Sequence, residues 1–235
     1  MPRTLDRDHI VRTLGKLRDR INERFPDSGL GRVCGELLSV ADETSARVAY
    51  LAAPNWPIRI GVAVVLLAML AVIVVLPFVT RLSTSVSGVV DFIQGAEAGV
   101  SILVFLGATV FFLVSLETRL KRSRALAALH QLRSIAHIVD MHQLTKDPEQ
   151  LMLPSGDTAS SPARTMSPVE LGRYLDYCSE MLSLVAKLAA LHVQHLNDAV
   201  VLAAVNDIEA LASGLSNKIW QKITLLERVV HPPHA

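Results

Sequence analysis

Residues 60–79 read IGVAVVLLAMLAVIVVLPFV, and residues 98–116 read AGVSILVFLGATVFFLVSL. Neither stretch holds an Asp, Glu, Lys, Arg or His. A helix rises about 1.5 Å per residue, so a run of this length crosses the roughly 30 Å hydrocarbon core of a bilayer. The segment between them, 80–97, is short and polar. The expected fold is all-α: a two-helix transmembrane hairpin with a cytoplasmic antiparallel helical bundle. The boundaries read as a cytoplasmic N-terminal helical region over 1–56, transmembrane helices over 57–79 and 98–118, and an external loop over 80–97. A cytoplasmic bundle follows over 119–235, with an exposed loop at 147–167.

The charge next to the spans sets the orientation. Arg119, Lys121, Arg122 and Arg124 follow the second span, and Arg47 and Arg59 precede the first. The connecting loop holds only Arg81, with Asp91 and Glu97. Both termini are therefore expected in the cytoplasm. Trp56 sits at the expected headgroup level, with Pro57 suited to a first helical turn. The membrane-interface set is Trp56, Arg59, Arg119, Lys121, Arg122 and Arg124. Residues 1–25 mix both signs of charge and precede the first apolar run, which does not fit a secretory signal.

Outside the spans the pattern is amphipathic and helical throughout. Ile10, Leu14, Leu17 and Ile21 stripe a helix over 4–24, and Leu30, Val33, Cys34, Leu37, Leu38 and Ala41 stripe another over 29–52. No proline occurs between residue 98 and about 144, so the second span is expected to continue as one helix of roughly 70 Å. Beyond the membrane it carries the row Ala125, Leu129, Leu132, Ala136 and Val139. Ser167-Pro168-Val169-Glu170 is a capping box with Pro at the first helical position. It starts a helix over 168–195, followed by a last helix over 198–230. Pro77 is expected to kink or end the first span.

Composition narrows the function. Lys and Arg number 23 against 22 Asp and Glu, so there is no basic field for nucleic acid. Aromatic residues make up 5% of the chain, too few for base stacking. Cys34 and Cys178 stand within apolar stripes, as reduced buried thiols do in the cytosol. No phosphate-binding glycine loop, nucleophile elbow or zincin helix appears, so no enzyme activity and no cofactor are expected. The spans hold no intramembrane charge, which argues against an ion-coupled transporter. The most chemical feature is the stripe His130, Arg133, His137 and Asp140, to which Glu180 and His192 would add from the next helix. The plain reading is a polar seam in which Arg133 pairs Asp140 or Glu180. The alternative is a metal or proton site. Gly95 and Gly99 form a small-residue motif that favours close helix approach, with Gly107 further along. Asp91 and Glu97 would form a ring if the hairpin assembled around a pore.

The segments RSIAHIVDMHQLTKDP (133–148), RYLDYCSE (173–180) and GLSNKIWQKI (214–223) resemble bacterial two-span inner-membrane proteins with a cytoplasmic helical domain. The resemblance extends over most of the chain. It implies a bacterial inner membrane and no particular chemistry. The expected role is a membrane-anchored interaction or scaffold module whose partners are the bilayer, further copies of itself and a cytoplasmic protein. The alternatives are a small oligomeric channel or membrane-perturbing effector, and a metal-sensing cytoplasmic domain.

Overall fold

The computed structural model describes residues 4–52, 56–82, 89–148, 166–194 and 196–230. It contains six helices among these residues: α1 (Arg7–Arg24), α2 (Gly29–Ala52), α3 (Trp56–Leu82), α4 (Val89–Leu144), α5 (Pro168–Ala190) and α6 (Ala199–Val230). No strand occurs among the described residues. The fold is all-α.

Local sequence sets the helix ends. Asp6 caps α1, its carboxylate accepting from the backbone N–H of Asp8 at 2.9 Å and of His9 at 3.2 Å. Asp27, in the break after α1, adopts φ 56°, a left-handed conformation that Asp tolerates better than most residues. The capping box expected at α5 is present. Glu170 N–H donates to Ser167 Oγ, and Ser167 N–H donates back to Glu170 Oε2 at 2.8 Å. These bonds hold the Glu170 carboxyl below the usual range. Asp198 does the same work for α6, accepting from the N–H groups of Val200 and Val201.

The chain divides into two compact units, Met1–Ala52 with Arg124–Ala235, and Ala53–Ser123. In the first, α5 packs along α6, and α1 packs on both α2 and α5. Leu14, Leu17, Ile21, Leu37, Leu175, Met181, Leu182, Ile208 and Ile219 are fully buried in one shared core. The end of α4 joins it through Ala125, Leu129, Leu132, Ala136 and Val139, the row expected from spacing alone.

The second unit is built differently. Along α3, Ile58, Gly61, Val62, Val65, Met69 and Val72 are half-buried, and along α4 so are Gly95, Gly99, Leu103, Leu106, Val110 and Leu113. The two stripes meet, since a Cβ at Gly61 would lie 3.8 Å from Leu113 Cδ1. Gly107 is exposed with open space beside it, so it takes no part in this approach. Most other large apolar side chains described in this unit point outward, Phe105 with 74% and Phe111 with 75% of their surface exposed.

Among the described residues three helices, rather than the two expected, are long and apolar enough to cross a membrane: α3, α4 and α6. The third differs in kind. Mean hydropathy is 2.9 and 2.4 in the first two and 1.4 in α6, and 28% of the α6 window is buried against none of the others. Its apolarity comes from a core face, Val201, Val205 and Ile208, with Val200 and Leu202 added on the outside. Counting charge-free runs passes over it because Asp207 and Glu209 interrupt it.

Other expectations shift at their edges. Helix α3 continues through Pro77 to Leu82 instead of ending near it. Much of the expected external loop is helical, because α4 begins at Val89 and Gln94, Ala96 and Glu97 are good helix formers. Helix α5 stops at Ala190, five residues early, where Leu191 and His192 turn inward and are buried. Of the exposed loop expected at 147–167, residues 149–165 lie outside the described residues.

Leu175 lies wholly inside the core and Val169 is exposed on the same helix. Leu175→Ala is expected to cost about 2–5 kcal/mol and Val169→Ala less than about 0.5 kcal/mol. Thermal unfolding of the detergent-solubilised chain, followed by circular dichroism, checks the difference.

Candidate interaction surface

The end of α4 has two opposed sides. One is buried and carries Leu132, Ile135, Ala136, Val139 and Gln143. The other faces out and carries His130, Arg133, Ser134 and His137, then Met141 and Leu144, which are 66% and 57% exposed. Ile138 flanks them. The polar stripe read from the sequence is thus the outward face itself, and it runs into an apolar end.

The six residues singled out by sequence do not all share one place. His130, Arg133 and His137 are exposed. Asp140 is half-buried and accepts from Gln143 Nε2 at 2.6 Å. Glu180, expected against Arg133, instead takes both amino groups of Arg20 on α1. The reason is proximity of elements, since α1 packs directly on α5. His192 is buried at the end of α5, with Nδ1 at 3.2 Å from the Leu188 carbonyl. Among the described residues, no three His, Cys, Asp or Glu side chains are placed to share a metal ion.

A junction that sequence reasoning missed lies where α4 ends. Lys222 of α6 donates to the carbonyls of Gln143 at 2.9 Å and Lys146 at 3.2 Å. The Gln143 carbonyl, in the last turn of α4, also accepts from the Lys146 N–H at 3.1 Å, and Lys146 lies just beyond the helix. The ammonium matches the negative end of the helix dipole. Burial holds Lys222 below its ordinary value, while Asp147 and Asp140 pull it up. Lys146 lies 5.6 Å from the Tyr174 ring centroid. Phe25 meets Tyr174 edge-on at 5.5 Å and Tyr177 at 6.3 Å, and Arg20 covers Tyr177 at 5.6 Å. The segments 133–148, 173–180 and 214–223 therefore meet around one helix terminus. A lysine eighty residues downstream gives no local signal of that role.

A groove of about 440 Å³ crosses α5 between Thr13 of α1 and Trp220 of α6. Its floor is polar: Asp176, Glu180, Ser183 and Lys187, the last donating to Ser183 Oγ at 2.6 Å. Burial raises the Asp176 carboxyl, Arg173 lowers it, and Glu180 and Glu227 raise it further. The two thiols offer no nucleophile. Burial pushes Cys34 and Cys178 each up to about 12, so both stay protonated near neutral pH.

In the other unit Trp56 is exposed at the start of α3, with Arg59 exposed one turn on. Arg119 is exposed and Arg122 partly so, while Lys121 pairs with Glu117 at 3.0 Å. No protein family, curated protein or solved structure matches this chain.

His142 stands against α2, where a Cβ built on Gly29 would overlap its imidazole. Burial lowers its pKa, with Arg32 and Lys146 adding to the effect, from an ordinary value of 6.5. The folded chain therefore takes up this proton less readily than the unfolded chain. The contribution is present above the ordinary value and is lost as pH falls through the lowered folded one. Between about pH 7.5 and about pH 5 the melting temperature is expected to fall, and His142→Gln is expected to flatten that slope.

Proposed function

We propose that this chain is a membrane-anchored helical interaction module of a bacterial inner membrane, without catalytic activity, and that it acts through self-association. On this reading α3 and the first part of α4 form an antiparallel transmembrane hairpin. The approach of Gly61, early in α3, to Leu113, late in that part of α4, supports the pairing. The basic residues flanking the spans support cytoplasmic termini. Helix α6, whose core face is buried beside α5, belongs on this reading to a cytoplasmic helical bundle rather than to the membrane.

One observation carries the reading. Met141 and Leu144 are exposed on the helix whose opposite side is buried in the core. Together with His137 they lie at i, i+4 and i+7, the pattern by which one helix docks on another. The exposed polar stripe His130, Arg133, Ser134 and His137 leads along the same face into the apolar Met141 and Leu144, so the face offers both an apolar contact and polar residues beside it. A second copy in the same bilayer presents the same row, so a two-fold pairing satisfies both at once.

Met141→Cys in native membranes is expected to yield a disulfide-linked dimer on mild oxidation. Val200→Cys, exposed on α6 about 33 Å along the helix from Lys222, which meets the end of α4, is expected to stay monomeric. Monomers alone from Met141→Cys would remove the self-association reading.

A further inference from the structure

We propose that α4 carries a binding site for one anionic glycerophospholipid, formed by Arg119 and Arg122 over Phe111 and Phe112. The proposal rests on α4 being a membrane span. A cavity of about 560 Å³ opens along this part of the helix, with these four residues, Ser115 and Thr118 in its lining. Its polarity is graded along one axis. Phe111 and Phe112 are exposed at the deep end, and the charge-free run stops at Leu116. The two arginines follow.

The spacing fits a bilayer leaflet. Arg119 and Arg122 are separated by about 4.5 Å along the axis, which lies inside a headgroup layer of roughly 5–8 Å per side. Phe111 lies about 12 Å deeper than Arg119, at the level of acyl chains. A guanidinium offers paired N–H donors that match phosphate oxygens, and the hydroxyls of Ser115 and Thr118 fall between ring and charge.

The structure also separates four cations that look equivalent in sequence. Lys121 is committed to Glu117 at 3.0 Å, and both side chains are largely buried. The described lining includes Arg119 and Arg122, and neither Lys121 nor Arg124. A cluster serving only to fix topology has no need of such a division. Charge next to an apolar wall selects a lipid phosphate over a zwitterionic headgroup, whose own ammonium would face the arginines.

The test is native mass spectrometry of the full-length chain in detergent, titrated with phosphatidylglycerol or phosphatidylcholine. The wild-type chain is expected to retain phosphatidylglycerol preferentially. Arg119→Gln with Arg122→Gln is expected to weaken that retention about fivefold per arginine, roughly 25-fold together. Arg124→Gln is expected to leave it unchanged. Should the double glutamine variant fail to fold, Arg119→Lys with Arg122→Lys keeps the charges, removes the paired donors, and is expected to show a several-fold loss. Equal retention of the two lipids overturns the site, as does an equal loss in Arg124→Gln or no loss in either double variant. Displacement of the lipid by excess inorganic phosphate overturns the lipid assignment in favour of bare phosphate. Alkaline carbonate extraction of the same membranes separates the two readings. A chain that stays in the membrane but shows no lipid preference fails only here, whereas a chain released by carbonate fails as a membrane protein.

Discussion

Everything in this structure depends on matching each helix to a solvent. A helix satisfies its own backbone N–H and C=O groups, so it can stand in hydrocarbon, provided its side chains are apolar all round. Helix α3 and the first part of α4 meet that condition: they share one narrow half-buried seam and turn their other large side chains outward. Exposing those surfaces to water would cost on the order of 25 cal/mol for each Å² of apolar area. The other unit solves the opposite problem. Its helices are striped, bury leucine, isoleucine and valine in a common core, and carry arginine, aspartate and serine on their exposed sides. One helix, α4, supplies residues to both units and changes character near Leu116, where its charge-free run ends.

In the unit of Met1–Ala52 and Arg124–Ala235, two polar contacts tie helices together. Arg20 holds Glu180 and covers Tyr177, tying α1 to α5. Lys222 holds one carbonyl in the last turn of α4 and one just beyond it, and ties α6 to that end. The Lys222 bonds are partly shielded from water, which strengthens them, whereas the Arg20–Glu180 pair is exposed and contributes less; both link neighbouring helices. The thiols, raised by burial, behave as small apolar side chains. On the proposed reading, what such a fold offers a partner is shape and surface, above all the outward side of α4.

Much of this was legible in the sequence, and the reason is period. Ile10, Leu14, Leu17 and Ile21 fall on one side of any helix, and Ala125 to Val139 follow the same rule. The capping box at Ser167 depends on residues three apart, so it too is local. What could not be read is what depends on distant elements meeting. Glu180 turns to Arg20 rather than Arg133 because α1, far away in sequence, lies beside α5. The stripe of His130, Arg133 and His137 was recognised as one face, but spacing cannot say whether a polar face turns inward or outward. Helix α6 went uncounted among membrane-length apolar helices because its hydrophobicity is shared between two sides and broken by Asp207 and Glu209. Of the interface cations, Arg119 and Arg122 line the cavity along α4 while Lys121 pairs with Glu117, which is a matter of side-chain geometry.

The claim that two solvents shape this chain is tested most directly by spin labels on the full-length protein in liposomes. A label at Phe105 is expected to collide readily with oxygen, which concentrates in hydrocarbon, and rarely with a water-soluble nickel complex. A label at Met141 is expected to show the reverse. Free access of the nickel complex to Phe105 would contradict the account.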